Sequence, residues 1–158
     1  MLTVDRIDLN PRQIADLKAI FGARFTTNES VLVQHSRDES AFQPVLPSAV
    51  IYPQNTEEVS KALAYCNQNR IPVVAFGAGS SLEGHVLPLK GGISLDMTEM
   101  NKIIEILPED LTVKVEAGLT RVALNNRLVD VGLFFSVTPG LMQLLAAWLP
   151  PGLLVQQL

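Results

Sequence analysis

The sequence predicts an α+β fold in which packed helices accompany a mixed β-sheet. Segments with helical spacing alternate with short apolar segments typical of strands, and no internal repeat or low-complexity run occurs before residue 140. With 158 residues the chain is long enough to form one domain, or part of one, around a buried core. The fold class therefore follows from the mixture of helical and strand periodicities.

Three segments have the apolar spacing and the end signals of helices. In the first, Asn10 is a suitable N-cap, Pro11 fits the first turn, and the helix is expected to end at about Phe21. In the last, Thr120 is the expected cap and Gly132 lies just past the expected end. Both helices are thus bounded by residues that suit helix ends.

The second helix, "NTEEVSKALAYCNQN", has the strongest signal. Asn55 and Glu58 have the spacing of a capping box, in which each side chain bonds the backbone N–H of the other residue. Val59, Leu63 and Cys66 then recur at helical spacing and predict the buried face. On that face Cys66 is expected to be a buried, inert thiol.

Six apolar segments have the length and composition of strands. Turn residues separate them, most clearly at Gly91–Gly92 and at Pro108–Asp110. The predicted strands are "VLVQ" (31–34), "AVIY" (49–52), "IPVVAF" (71–76), "GISLDM" (92–97), "KIIEIL" (102–107) and "LTVKVEAG" (111–118).

Composition and charge exclude several classes of function. The net charge of −4 argues against a general nucleic-acid-binding protein, which needs a basic surface. The first residues lack the apolar core of a signal peptide, and no segment approaches the roughly 20 apolar residues of a membrane span. A single cysteine permits no internal disulfide and fits a reducing compartment, so a cytoplasmic location is expected.

The segment "AFGAGSSLEGHVLPLKGG" is the strongest candidate for a binding site. A Rossmann phosphate site would need a helix directly after the glycines, and a Walker loop would need a lysine; neither follows. The remaining interpretations are a nest of backbone N–H groups that holds a pyrophosphate, or a plain tight turn. The residues concerned follow a predicted strand and are Gly77, Ala78, Gly79, Ser80 and Ser81.

Two further groups leave alternatives open. His85, beside the glycines, either bonds a ligand or is an ordinary surface residue. His35 with Asp38 and Glu39 suggests an acid–base pair, but such groups in a loop more often fix a turn, and no third member of a catalytic constellation is evident. We therefore predict no catalytic residue and no metal ligand.

Several motifs, in one order and spacing, resemble a known family. Together they resemble the N-terminal FAD-binding domain of the FAD-linked oxidases, of the vanillyl-alcohol oxidase and p-cresol methylhydroxylase (PCMH) type. The phrase "GAGSSLEGH" is most similar to the FAD-dependent D-lactate dehydrogenases and glycolate oxidase subunits. The motifs are "SRDES" (36–40), "SAVIYPQNTEEVSKALAYCNQNRIPVVAFGAGSSLEGHV" (48–86), "GGISLDMTEMNKI" (91–103) and "VKVEAGLTRVALNNRLVDVGLFFSVTPG" (113–140).

The resemblance implies a PCMH-type FAD-binding domain that is incomplete in this chain, because the second flavin-contacting segment of the family only starts at Pro139 and Gly140. The resemblance also implies that the substrate groups belong to a further domain, which we expect to be absent here. The chain would then be an FAD-binding fragment of a D-lactate or glycolate type dehydrogenase, inactive alone. The alternatives are a flavin-binding subunit completed by a partner chain, or a structural module whose glycine loop is only a turn. The implied FAD contacts are Gly77, Ala78, Gly79, Ser80, Ser81, Gly84, His85, Pro139 and Gly140.

Residues 141–158, "LMQLLAAWLPPGLLVQQL", differ from the rest in being leucine-rich and uncharged. An apolar helix that packs on the domain is one explanation. The family instead has a segment close to "ADATIGGMAATRASGTTAV" here. A shifted reading frame connects the two sequences. If each new codon takes the third base of one codon and the first two bases of the next, starting at Gly140, the new codons can encode Ala-Asp-Ala-Thr-Ile-Gly-Gly-Met-Ala, the start of the family segment. We therefore expect a helical lead-in over 1–30, a partial FAD-binding domain over 31–140 and a frame-shifted, truncating tail over 141–158.

Overall fold

The computed structural model describes residues 6–136 and 156–157. The chain divides into two compact units, Met1–Met97 and Thr98–Leu158, and the predicted α+β class with a mixed sheet is confirmed. The first unit contains α1 (Pro11–Phe21), β1 (Phe25–Thr26), α2 (Glu29–Gln34), β2 (Ala49–Ile51), α3 (Thr56–Gln68), β3 (Val73–Phe76) and β4 (Ile93–Asp96).

The sheet of the first unit has the strand order β1-β2-β4-β3. Strand β1 is antiparallel to β2, whereas β2 and β3 both run parallel to the central β4. The register pairs Ile51 with Leu95 and Phe76 with Asp96. Because these three strands are parallel, their carboxyl ends meet at one edge of the sheet.

Helices α1 and α3 contribute to one apolar core with the sheet. Alternate residues of β2 and β4 belong to this core, as expected where successive side chains point to opposite faces. Cys66 is buried in it as predicted, and burial raises the pKa of its thiol to about 11. The buried core residues are Leu17, Phe21, Phe25, Ala49, Ile51, Ala62, Cys66, Ile71, Ile93 and Leu95.

The predicted N-caps of both long helices are confirmed. Asn10 caps α1, and the Oδ1 of Asn55 accepts a hydrogen bond from the Glu58 N–H at 2.9 Å to cap α3. The predicted capping box of α3 is only half formed. The Glu58 carboxylate accepts from the Gln54 N–H at 2.9 Å and pairs with Arg24, because a guanidinium is the stronger partner.

Two sequence predictions are wrong in the first unit. "VLVQ" (31–34) is predicted as a strand but forms the end of α2, which starts after Asn28, whose Oδ1 accepts from the Ser30 N–H at 3.0 Å. A four-residue apolar run carries no periodicity that separates strand from helix. Leu63, predicted to face the core, is 46% exposed, and Ala62 is buried in its place.

The second unit contains β5 (Ile103–Leu107), β6 (Thr112–Val115), α4 (Arg121–Leu128), β7 (Leu133–Phe134) and β8 (Gln156–Gln157). Strands β5 and β6 form an antiparallel pair separate from the larger sheet, and β7 pairs antiparallel with β8. Thr120 caps α4 as predicted, and Gly132, in the left-handed region, follows the turn after it. Among residues 6–136 and 156–157, no helix is both long and apolar enough to cross a membrane. The core residues are Val113, Leu119, Leu124, Leu128, Leu133 and Phe135.

Candidate functional site

A cleft of about 570 Å³ lies at the carboxyl edge of the parallel strands in the first unit. Tyr52 follows β2, Ala78 and Gly79 follow β3, and Asp96 ends β4. Open sheets bind ligands in the crevice outside the carboxyl ends of their parallel strands, and this volume suits a small molecule or part of a cofactor. The remaining lining residues are Gln34, His35, Arg37, Asp38, Glu39 and Phe76.

The segment 77–92 connects β3 to its parallel neighbour β4. A parallel pair needs a crossover that returns along the sheet, usually through a helix. Here the structure describes no helix between Gly79 and β4, which confirms that this is not a Rossmann site. The crossover therefore starts at the cleft with residues 77–85, named here the glycine loop.

The first turn of the glycine loop has the backbone geometry of an anion site. Gly79 adopts a φ of +66°, and a Cβ there would lie 3.0 Å from Cζ of Phe76. The backbone N–H groups of Ala78 and Gly79 donate to no other residue among those described, and both residues line the cleft beside the half-buried Ser80. Successive unpaired N–H groups around a left-handed residue form a nest for an anion. These residues therefore fit a diphosphate.

The rest of the glycine loop is closed by Ser81. Its Oγ lies 3.2 Å from Nδ1 of the exposed His85 and accepts from the Glu83 N–H at 3.2 Å. Its carbonyl oxygen accepts from the Glu39 N–H at 3.0 Å, and Gly84 turns the chain at a φ of +72°. The structure thus brings Ser81, Gly84 and His85 together, with the Ser81 hydroxyl engaged inside the loop.

Asp38 lies in the segment between α2 and β2, and it supports the glycine loop from there. The N–H and the hydroxyl of Ser40 donate to its Oδ1 at 3.1 and 2.5 Å. Burial raises the pKa of Asp38, but the hydrogen bonds that lower it, those from Ser40 first among them, together outweigh burial, so that the pKa lies below its ordinary value. The Ser81 hydroxyl and the Gly84 N–H lower the pKa further, although neither reaches the buried Oδ2 in ordinary hydrogen-bond geometry. Asp38 therefore fixes a turn, as the more common interpretation predicts.

The sequence interpretation missed the partner of His35. Its Nε2 lies 2.8 Å from Oδ2 of Asp96, and its Nδ1 lies 2.8 Å from the carbonyl oxygen of Val31. Its ring packs on Phe76 at 4.4 Å between centroids and meets Tyr52 edge-on at 6.0 Å. One signal was available: a carboxylate in the otherwise uncharged, buried strand "ISLD" needs a polar partner.

Seven of the nine predicted FAD contacts therefore lie on one loop that begins at the cleft. The other two, Pro139 and Gly140, lie outside the described residues.

Comparison with protein families identifies the cofactor. The sequence matches the FAD binding domain family over residues 47–146, which is more than half of the chain. The chain belongs to this family. FAD is accordingly its cofactor, and the resemblance to the FAD-linked oxidases is confirmed.

Similar curated proteins include D-lactate dehydrogenases and glycolate oxidase subunits. The chain is 37% identical to the probable mitochondrial D-lactate dehydrogenase of Danio rerio, over 82% of this chain and 26% of that protein. It is 37% identical to the mitochondrial D-lactate dehydrogenase [cytochrome] of Arabidopsis thaliana, over 80% and 23%. It is 36% identical to the glycolate oxidase subunit GlcD of Bacillus subtilis, over 70% and 23%. The chain thus spans about a quarter of the length of these relatives.

Solved structures confirm the PCMH-type fold. p-Cresol methylhydroxylase with substrate bound superposes with a TM-score of 0.70 at 24% identity, over 79% of this chain and 26% of that one. Alkyldihydroxyacetonephosphate synthase gives a TM-score of 0.75 at 20% identity, over 87% and 28%. At these identities the likeness concerns the fold.

Proposed function

We propose that the glycine loop holds the diphosphate of FAD and that the chain is the FAD-binding part of a flavin-dependent D-2-hydroxy acid dehydrogenase. The unpaired N–H groups of Ala78 and Gly79 at the cleft carry the first part of the proposal. The relatives named D-lactate dehydrogenase and glycolate oxidase subunit support the second part. FAD, when bound, supplies the redox chemistry, and the chain supplies binding and orientation.

Each residue of the loop has a distinct part in this proposal. The N–H groups of Ala78 and Gly79 donate to phosphate oxygens, and glycine at position 79 permits the left-handed φ of the turn that presents them. Ser80 adds a neutral donor beside them, while Ser81 and His85 keep the loop closed through their 3.2 Å contact. Gly77, Gly84, Pro139 and Gly140 complete the proposed contacts.

Flavins that differ in their phosphate content test this assignment. We expect the purified chain to quench FAD fluorescence on binding, and riboflavin, which has no phosphate, to bind at least about tenfold more weakly. The expected factor corresponds to one charge-assisted hydrogen bond. Equal affinities for FAD and riboflavin would contradict a diphosphate site. Binding of neither flavin would favour the interpretation of the loop as a plain turn.

We propose that the chain alone turns over neither D-lactate nor glycolate. It spans about a quarter of its relatives, and by the family resemblance the substrate groups lie in another domain. Reduction of a dye by the FAD-loaded chain in the presence of either acid would contradict this. The alternative, a partner chain that supplies the remaining domain, predicts that turnover appears when the chain is coexpressed with the remaining part of a relative.

We propose that residues 141–158 are a frame-shifted translation of the second flavin-binding segment of the family. Most of this tail lies outside the described residues, and the proposal rests on the codon compatibility alone. The coding DNA tests it, because the alternative frame must read through residues similar to "GGMA" and "ASGT". A frame that reads otherwise would contradict it.

We also propose a cytoplasmic location, on the basis of the single cysteine. Several relatives are named mitochondrial, so fractionation of cells that express the chain distinguishes the two compartments.

A further inference from the structure

Arg37 is the only lysine or arginine among the described residues that line the cleft, and the proposed function does not use it. It is exposed, and its side chain has no hydrogen bond or ion pair with any other described residue. Arg6, Arg24 and Arg127, by contrast, each pair with a carboxylate. A guanidinium is therefore available at the cleft.

Arg37 lies in the segment between α2 and β2, which packs against the glycine loop. The Glu39 N–H donates to the Ser81 carbonyl oxygen at 3.0 Å. The Phe42 ring packs on Gly84, where an added Cβ would lie 2.5 Å from its Cδ2. One backbone hydrogen bond and one close ring contact thus fix this segment relative to the glycine loop.

The backbone of Arg37 lies beside the first turn of the glycine loop. Its carbonyl oxygen is 3.7 Å from the position of a Cβ on Gly79. The Arg37 side chain therefore begins next to the turn that presents the N–H groups of Ala78 and Gly79. A guanidinium carries its donors in a planar fork that matches the oxygens of a phosphate group. This position suits a side chain that binds the same anion as the turn.

The cleft also contains acidic side chains, which oppose the entry of an anion. Asp38 and Glu39 line it together with Arg37, and like charges repel. The two ring nitrogens of His35 each lie 2.8 Å from a protein oxygen atom and are thereby engaged. The N–H groups of the glycine loop carry only partial charges. Among the described side chains that line the cleft, Arg37 is thus the one suited to offset the charge of a phosphate group.

We propose that Arg37 is a second phosphate-binding residue of the cleft, whose guanidinium forms an ion pair with the diphosphate of FAD. The inference rests on the proposed function, in which the N–H groups of Ala78 and Gly79 hold that diphosphate. The glycine loop fixes where the phosphate oxygens lie, and Arg37 supplies the positive charge. Arg37 therefore strengthens the binding of flavins that carry phosphate and leaves the binding of riboflavin unchanged.

Arg37→Gln tests the assignment, because it removes the charge and keeps a polar side chain. We expect FAD to bind about tenfold more weakly in a fluorescence titration, which corresponds to one charge-assisted hydrogen bond. Riboflavin, which has no phosphate, should bind as it does to the wild-type chain. Arg37→Lys keeps the charge without the fork and should recover part of the lost FAD affinity.

Arg12→Gln is the matched control, because Arg12 is exposed on α1 and does not line the cleft. It changes the net charge of the chain by the same amount and should leave the FAD affinity unchanged. Equal FAD affinities in Arg37→Gln and Arg12→Gln would overturn the proposal. An equal loss of FAD and riboflavin affinity in Arg37→Gln would also overturn it, since that result indicates a purely structural role.

The wild-type chain supplies a measurement that needs no variant to fold. Salt screens an ion pair at an exposed side chain, so the FAD affinity should fall as the ionic strength rises, while the riboflavin affinity stays nearly constant. If FAD binds more tightly than riboflavin but without a salt dependence, the assignment of Arg37 is wrong and the proposed function stands. If the two flavins bind equally or not at all, the proposed function is wrong, and the assignment of Arg37 with it.

Discussion

The two ends of the crossover between β3 and β4 both use glycines at positive φ, but for different physical reasons. At the end next to β4, a Cβ on Gly92 would lie 2.2 Å from the carbonyl oxygen of Pro72, so backbone packs directly on backbone. At the cleft end, the nearest atom to a Cβ on Gly79 is a ring atom of Phe76 at 3.0 Å. One glycine is thus required by backbone packing, and the other contacts a side chain that can yield.

Hydrogen bonding separates the two ends in the same way. Gly92 donates to the carbonyl oxygen of Ile7 at 3.0 Å and accepts from the Ser48 N–H at 2.7 Å. At the cleft end, Ala78 and Gly79 donate their N–H groups to no other described residue. The crossover therefore combines a fully bonded end that stabilises the sheet with an end that keeps donors available.

Gly92→Ala should produce the largest effect. Its Cβ would overlap the Pro72 carbonyl oxygen, which is held by a 2.9 Å hydrogen bond from the Ile93 N–H and cannot retreat cheaply. With the additional strain of a left-handed alanine, we expect a loss of about 3 kcal/mol or more in the free energy of unfolding. Denaturant unfolding measures this loss.

Gly132→Ala is the matched control, because Gly132 has a φ of +70° but no atom within 4 Å of an added Cβ. It should lose only about 1 kcal/mol in the free energy of unfolding, from backbone strain alone.

The single cysteine, Cys66, gives a second measure of the loss in stability, since burial raises its pKa to about 11 and shields it from thiol reagents. The prediction is contradicted if Gly92→Ala loses no more stability than Gly132→Ala and if Cys66 of Gly92→Ala still reacts slowly with thiol reagents. In that case the contact between Gly92 and the Pro72 carbonyl oxygen is unimportant.

Gly79→Ala should change binding more than stability. The Phe76 ring can yield by a few tenths of an ångström, so the expected stability loss is the roughly 1 kcal/mol of a left-handed alanine. The methyl group would also stand at the turn that presents the N–H groups of Ala78 and Gly79. We expect at least about a tenfold weaker affinity for FAD in a fluorescence titration. If Gly132→Ala weakens FAD binding equally, the glycine loop has no special part in it.

Local signals in the sequence were sufficient to predict α1, α3 and α4, and to exclude a Rossmann helix after the glycine loop. The caps Asn10, Asn55 and Thr120 act within one turn of their own helix, so their residue types alone predict where the helices begin. The absence of a Rossmann helix after Gly79 was predictable for the same reason, since glycine and proline follow at short intervals.

The features that sequence reasoning missed depend on tertiary packing. Residues 31–34 carry too little periodicity to separate strand from helix, and the position of Leu63 relative to Ala62 depends on how α3 packs. The His35–Asp96 contact joins residues 61 positions apart, across the end of a buried strand. The glycines of the crossover look alike in the sequence, because only their neighbours in space distinguish the two ends.

Acid should weaken the two ends unequally, since each has a carboxylate whose pKa is lowered. At the cleft end, burial raises the pKa of Asp38, but the contacts with Ser40, Ser81 and Gly84 together lower it by more. The pKa of Asp38 in the folded chain lies below its value in the unfolded chain, which is about 4 for an ordinary aspartate. Asp38 therefore stabilises the fold fully at pH values above about 4, and this contribution is lost as the pH falls through the folded pKa. Asp38→Asn should cost about 1 kcal/mol at neutral pH and progressively less in acid.

The matched variant at the other end is Asp8→Asn. The Ser48 hydroxyl, 2.9 Å from Oδ1 of Asp8, and the neighbouring Arg6 lower the pKa of Asp8, but 64% of its side chain is exposed. Solvent screening should limit its contribution to below about 0.5 kcal/mol. Denaturant unfolding at neutral and acidic pH compares the two variants, and FAD titration should show weaker binding only in Asp38→Asn. A larger stability loss in Asp8→Asn, or equal FAD affinities, would contradict the assignment of Asp38 to the ligand end of the crossover.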